Sequence, residues 1–311
     1  MPKLERKTLV QVKTEVVYGT APVFAVTDAL LCSDLDVGQD INLLELNNYK
    51  GSLSPDGSRV GRKLWTMSFN CDLCGNGSAP SLATPLEMDS LLRACGLTVA
   101  YDVTGCTYTP HSNDDEMKSV AIKANLDGEN FILRGGFGNV SFTLPAGAFP
   151  VVNFEFRGLY LEPTDEAQAT PTFKRGTTKP PIAESLGLTL DAYSVIAQQL
   201  EFNMNNEISE RPDLNSPEGI IGLRITGRRP TGTLNPEMMS ISDKNFFAIL
   251  DASSEIAMAG KVGSETGNSF TFNYPTLQLE ASKPDARDGI RSLGMEFVAR
   301  GDDNEFNIRC T

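Results

Sequence analysis

Six cysteines (Cys32, Cys71, Cys74, Cys95, Cys106 and Cys310) and one histidine, His111, are the side chains through which this chain could hold a soft metal or build a nucleophile. Cys71-Asp72-Leu73-Cys74 has the spacing of half a zinc site, and Cys95 and Cys106 could supply the other half. That second pair lacks the short spacing of a zinc ribbon, and Cys71 already fits the apolar side of an alternating run, so small core thiols are the simpler reading. Six thiols in 311 residues are too sparse for a disulfide scaffold. As a general base His111 would need a serine or cysteine held beside it, and no Gly-x-Ser-x-Gly elbow occurs. In the polar turn that starts at Pro110 it reads as a solvated loop histidine. Gly135-Gly136-Phe137-Gly138 has the composition of a phosphate-cradling loop, but strand-like segments flank it and no helix N-terminus follows to receive an anion. Asp72, Glu155 and Glu296 sit on the wet sides of alternating runs, where a solvated surface is the default. The expectation is therefore no enzyme, no cofactor and no metal.

The elements that position these residues are mainly strands. Gly138 to Tyr160 reads as a hairpin: Val140, Phe142 and Leu144 alternate with Ser141 and Thr143. After the Pro145-Ala146-Gly147 turn, Val152, Phe154 and Phe156 alternate with Asn153, Glu155 and Arg157. A half-buried strand carries Trp65, Met67, Phe69, Cys71 and Leu73 on one side, and a short one is marked by Leu35 and Val37. Met88, Leu91, Leu92 and Cys95 fall at helical spacing with Gly96 as a C-terminal cap. Tyr101 to Thr109 and Val120 to Ala124 continue as strands, and Asp127-Gly128 is a tight-turn signal. The residues up to Pro22 lack a settled period and read as an arm. Asn47 to Lys63 is loop chemistry, longer than a packed domain needs.

The order then repeats. Leu293-Gly294-Met295-Glu296-Phe297 copies the outgoing strand of the hairpin, Leu200, Phe202 and Met204 alternate with Glu201 and Asn203, and a second Pro/Gly-rich loop spans Arg211 to Gly222. Gly227-Arg228-Arg229 stands where Gly61-Arg62-Lys63 stood, and Ser242 to Asp251 echoes the short helix, whereas the Thr231 to Met238 strand fits its counterpart poorly. The expected division is a first β domain with its arm over 1–162, a Pro- and Thr-rich linker over 163–187 and a second β domain over 188–311. Lys+Arg 27 against Asp+Glu 40 gives a net charge of -13, which repels a phosphate backbone. No apolar run approaches bilayer length, and Met1 to Lys7 lacks the apolar core of a secretory signal. Synthesis in a cytoplasm and no membrane insertion are the expectations.

Taken in order, Glu15-Val16-Val17-Tyr18-Gly19-Thr20-Ala21-Pro22, Leu46-Asn47-Asn48-Tyr49, Leu91-Leu92-Arg93-Ala94-Cys95-Gly96-Leu97, Ala146-Gly147 running into Phe154 to Tyr160, and Arg228-Arg229-Pro230-Thr231-Gly232 resemble the tail tube proteins of long-tailed bacteriophages in their longer, internally duplicated form. The resemblance runs nearly end to end. It implies two tandem β-sandwich or barrel domains, each with a short flanking α-helix, in a virion protein whose rings stack into the tube through which DNA leaves the capsid. Its partners would be further copies of itself, the tape measure, tail terminator and baseplate proteins, and viral DNA in transit without specific binding. Two domains per chain would let three chains imitate a six-fold ring. In such a ring Asp72, Glu155, Glu201 and Glu296 are the candidates to face the lumen. Asn47, Asn48, Tyr49, Pro55 and Arg59 of one loop, with Arg211 and Pro217 of the other, are the candidates to reach the next ring. A carbohydrate-binding β-sandwich of a virion or cell surface would be equally acidic and catalytically silent. It would expose aromatic platforms, however, and Trp65, the only tryptophan, lies on an apolar strand face.

Overall fold

Alternation of bulky apolar and small polar residues is the dominant local signal, and the chain folds accordingly into strands. The computed structural model describes residues 3–113, 116–216, 218–287 and 289–311. The first half supplies β1 (Thr8–Thr14), β2 (Ala29–Leu30), β3 (Ser33–Glu45), β4 (Ser58–Asp72), α1 (Asp89–Ala94), β5 (Leu97–Tyr101), β6 (Cys106–Pro110), β7 (Val120–Leu126), β8 (Glu129–Pro145) and β9 (Val151–Leu159). The short strands β10 (Thr164–Asp165), β11 (Thr189–Leu190) and β12 (Tyr193–Ser194) follow. The remainder forms β13 (Ala197–Asn203), β14 (Asn206–Pro212), β15 (Ile220–Arg228), β16 (Thr231–Pro236), α2 (Phe246–Asp251), β17 (Glu255–Val262), β18 (Phe270–Arg287), β19 (Ile290–Ala299) and β20 (Asn307–Cys310).

One antiparallel sheet runs through both halves in the order β3-β4-β9-β8-β13-β16-β19-β18. Its dry face presents Phe69, Phe154, Phe142, Phe202, Met295 and Phe297, all buried. The strands β8 and β18 each serve two sheets. Residues 129–136 of β8 pair with β7; pairing with β9 begins at Arg134↔Leu159 and resumes at Phe137 after a register shift, and residues 141–145 also pair with β13. Gly135 takes φ 59 at that bend, a conformation open to glycine without strain. The strand β18 pairs with β20 over 270–273 and with β17 as far as Gln278, whereas its pairing with β19 begins at Leu277 and continues through the shift between Leu279 and Ala281 to Arg287. The second layer therefore runs β5-β6-β20-β18-β17 across both halves, with β2-β1-β7-β8 beside it. One hydrophobic core, from Val10 to Cys310, fills the space between the layers. In α1 the expected Leu91 and Leu92, with Met88 and Cys95 at its ends, all face that core. Asn245 caps α2 by accepting a hydrogen bond from the Ala248 amide at 3.0 Å.

Several local expectations are corrected. The N-terminal segment is not a loose arm: β1 pairs with β7 from Thr8↔Leu126 to Thr14↔Val120, and Leu9 to Val12 are buried on both faces, which removes the alternation a one-sided strand would show. The strand marked by Leu35 and Val37 is long, extending to Glu45, because its distal half pairs with β4 although neither face is covered. The loop expected over 47–63 is confined to 46–57, since Arg59 and its neighbours pair with Leu44 and Leu43 in the β3–β4 hairpin. The second loop shortens likewise to 213–219, with Arg211 in β14 opposite Gly222. Tyr101 to Thr109 is a hairpin bent at Asp102, whose carboxylate accepts the amides of Thr104 and Gly105. The Thr231 strand stops at Pro236 and is held in register between β13 and β19.

Candidate functional site

Cross-strand register brings the four singled-out carboxylates to one face. Glu155 lies opposite Ser68 on one side and Asn139 on the other. Thr143, on the same side of β8 as Asn139, lies opposite Glu201, and Thr233 lies between Glu201 and Glu296. Asp72 is on the Ser68 side of β4, four residues along. This polar face is the reverse of the phenylalanine face, because a strand with one apolar side must turn the other outward. Glu155, Glu201 and Glu296 are exposed. Glu201 accepts hydrogen bonds from Gln199 Nε2 at 2.5 Å and Thr233 Oγ1 at 3.3 Å. Asp72 differs: Arg175 Nη1, from the segment between the halves, lies 3.2 Å from its Oδ2, so its charge is already matched.

At one end this face is covered. The hairpin β14–β15 forms a separate two-stranded sheet whose Ile220, Leu223 and Ile225 close a second small core with Leu64, Phe137 and Leu159 of the main sheet. A four-residue charge cluster pins it there. Arg157 Nη2 lies 2.5 Å from Asp40 and 3.0 Å from Glu210 of β14, and Arg62 Nη2 lies 3.2 Å from Asp40 while its Nη1 also pairs with Glu210. Tyr18 seals the edge, its hydroxyl accepting the Leu223 amide at 2.6 Å. Sequence reading missed this cluster because its members are far apart in the chain; the Gly61-Arg62-Lys63 triplet was the available hint, whereas Arg228 of the matching triplet pairs with Asp303 and Glu305 instead.

The β3–β4 hairpin has no such seat. Ile41, Leu43, Leu44, Leu46 and Val60 are exposed along it, and Tyr49 and Leu53 at its tip are fully exposed. Asn47, Asn48, Pro55 and Arg59 are exposed too. The tip is nonetheless shaped: Asp56 accepts from Lys50 Nζ at 2.5 Å and the Asn48 amide at 3.1 Å, contacts that hold its carboxyl below the usual range. Arg211 is exposed at the end of β14, and Pro217 lies outside the described residues.

The candidate chemical residues are absorbed by packing. Cys71, Cys95 and Cys106 are core thiols, and burial pushes Cys106 up to about 11 and half-buried Cys32 to about 12. Cys74 Sγ lies within hydrogen-bonding range of the Gly75 and Thr178 carbonyls. Among the described residues no group of three or more His, Cys, Asp or Glu is arranged to hold a metal. His111 is not solvated as expected but buried: Arg228 reaches over it to donate to its carbonyl at 3.0 Å, and desolvation lowers its pKa. The polar cavity beside it is charge-matched, Arg228 pairing with Glu305 at 2.9 Å and with Asp303 at 2.5 Å. Trp65 is buried, donates to the Leu161 carbonyl at 2.9 Å and stacks on Tyr160. Among the described residues no helix is long and apolar enough to cross a membrane.

Sequence comparison with protein families gives a match over residues 5–299 to the model described as phage tail tube protein. No curated protein matches the chain.

Proposed function

The chain belongs to the phage tail tube protein family, a structural component of the virion tail that self-assembles into a tube with other tail components, and from that premise we propose how it builds its ring and its channel. Each chain supplies two ring positions, so three chains close a ring with pseudo-six-fold symmetry, and rings stack into a conduit for DNA leaving the capsid into the host. The recurrence of pairings supports two units of one design. In the first half β3 pairs β4, β4 pairs β9, β9 pairs β8 and β8 pairs β7; in the second, β13 pairs β16, β16 pairs β19, β19 pairs β18 and β18 pairs β17. The helices α1 and α2 come at the same point in each order. The boundaries proposed for the units are 1–162 and 188–311, and the intervening residues act as a strap. Synthesis in the host cytoplasm, where thiols stay reduced, suits the free cysteines.

The observation that carries the channel reading is the single sheet spanning both halves, with Glu155, Glu201 and Glu296 exposed on its polar face. Turned to the lumen, these carboxylates repel phosphates across a gap comparable to the screening length, about 8 Å at physiological salt, and keep the polymer from sticking. The tape measure, terminator and baseplate proteins complete the tail at its inside and its ends. The test replaces Glu155, Glu201 and Glu296 together with lysine. Tubes should still assemble, and DNA ejection should slow or stall, more so at low salt. Ejection with unchanged rate and salt dependence from normally assembled variant tails would show that these residues do not meet DNA, and an electron-microscopy map with six whole chains per ring would sink the three-chain model.

A further inference from the structure

Among the described residues, the sheet that joins the two halves ends in two unpaired edges. On one side β3 has β4 as its partner strand, and on the other the segment 281–287 of β18 pairs with β19. Both are long, and an open edge of this length is a template for another strand. The junction inside the chain indicates which. There β8 pairs with β13, Ser141↔Asn203, Phe142↔Phe202 and Thr143↔Glu201. The recurrence of pairings makes β18 the counterpart of β8 and β3 the counterpart of β13. The internal junction is therefore a finished copy of a contact whose second instance is missing from the isolated chain.

We propose that β18 of one copy pairs antiparallel with β3 of the next in the register of the β8–β13 junction. This rests on the ring reading above and specifies the strands that close it. The register follows by matching Glu155 with Glu296, which lie opposite Ser68 and Thr233. Asn139 then corresponds to Ala281, and Ser141, Phe142 and Thr143 to Lys283, Pro284 and Asp285. Asp36, opposite Ser68, stands where Glu201 stands opposite Thr233, so Val37 and Gly38 take the places of Phe202 and Asn203. The contact pairs Lys283 with Gly38, Pro284 with Val37 and Asp285 with Asp36.

The side chains fit this placement. On the dry side Pro284 meets Val37, which already packs against the core, as Phe142 meets Phe202 within the chain. On the polar side Lys283 lies diagonal to Asp36 and Asp40, within reach of a long side chain. One pair runs against the placement: Asp285 stands directly opposite Asp36, a repulsion offset by Lys283 and Arg287 on the same face, of which Arg287 also lies 3.8 Å from Glu237 within the chain. A lysine and a proline are also what keeps an open edge from pairing at random before the correct partner arrives.

The test uses Asp36→Cys with Asp285→Cys in a Cys32→Ser background, the other native thiols being buried. Assembled particles are treated with a short bifunctional maleimide and run on a denaturing gel. The double variant should give a ladder ending in a covalent ring, each single variant none, and the shifted pair Asp36→Cys with Lys283→Cys at least several-fold less. Particles that assemble normally but give no ladder, or a stronger one from the shifted pair, overturn the proposed pairing and leave the ring reading standing. Wild-type chains that form no ring overturn both. If the double variant does not assemble, amide exchange in wild-type particles decides: peptides covering 34–40 and 281–287 should become protected on going from free subunit to tube, and unchanged exchange there refutes the pairing.

Discussion

Glu87 is a buried carboxylate with an uneven set of partners. Arg175 Nε is 4.0 Å away and backbone amides approach it, yet one carboxylate oxygen has no hydrogen-bond partner, and desolvation pushes its pKa up to about 7. The folded protein thus holds this proton more tightly than the unfolded chain does. The sign follows from linkage: Glu87's contribution to stability is full below about 4.5 and is lost as pH rises through about 7. The span corresponds to at most roughly 3 kcal/mol. Glu87→Gln should remove that loss, so urea denaturation should show the variant gaining on the wild type as pH is raised over this window; a gap between the two that does not vary with pH would exclude the assignment. The same buried corner holds Cys32 and Cys71, whose raised pKa values predict slow alkylation of the native protein. At this scale the sequence was only partly legible. Cys71 and Trp65 revealed themselves as core by strand alternation, whereas the burial of His111 depends on Arg228, more than a hundred residues away, and has no local signature.

The β3–β4 hairpin is the element most visibly unfinished. Its apolar row of Ile41, Leu43, Leu44 and Val60 is exposed, while the corresponding β14–β15 hairpin buries Ile220, Leu223 and Ile225 against the first half of its own chain. Replacing 47–57 by a two-residue turn should leave a folded, soluble subunit with unchanged urea midpoint that no longer polymerises. Normal tubes from that variant, seen in negative stain, would show that the tip carries no contact between rings. The hairpin of β8 and β9 and the helix α1 were readable because one-sided burial imposes a period, the Asp127-Gly128 turn because of its turn chemistry, and α2, which buries only Phe246, by its likeness to α1. The ends of β3, β4, β14 and β15 were not, because their distal parts are held by cross-strand pairing and by partners remote in sequence, so Gly, Ser and Pro there looked like loop. Element contacts between the halves are equally tight: a Cβ on Gly105 would stand 1.9 Å from the Cys310 carbonyl oxygen of β20. Gly105→Ala should therefore cost roughly 2 kcal/mol or more, a shift measurable in thermal unfolding.

Across the whole molecule the halves share a core as well as a chain. Phe142 of β8 contacts Phe202 and Phe272, and β20 lies between β18 and β6. Unfolding should accordingly be one cooperative transition, with fluorescence and far-UV dichroism giving the same midpoint, and a chain truncated after residue 162 should be markedly less stable because β6 and β8 lose their neighbours. Two resolved transitions would mean that the interface between the halves contributes little. A repeated order of elements was the expectation from the sequence, and it stays part of the proposal above. That the two halves merge into one sheet was not legible, since the pairing of Leu144 with Leu200 is a tertiary fact that no alternation encodes. Trp65 gives this architecture a built-in reporter. Its indole is shut away from water, stacked on Tyr160 at 5.1 Å, and its strand neighbours are Gln39 of β3 and Gly158 of β9. The sole indole of the chain thus lies one strand in from the edge proposed to meet the next subunit, so its emission, which burial should hold at short wavelength, is an optical gauge of what happens to that edge, readable without a label.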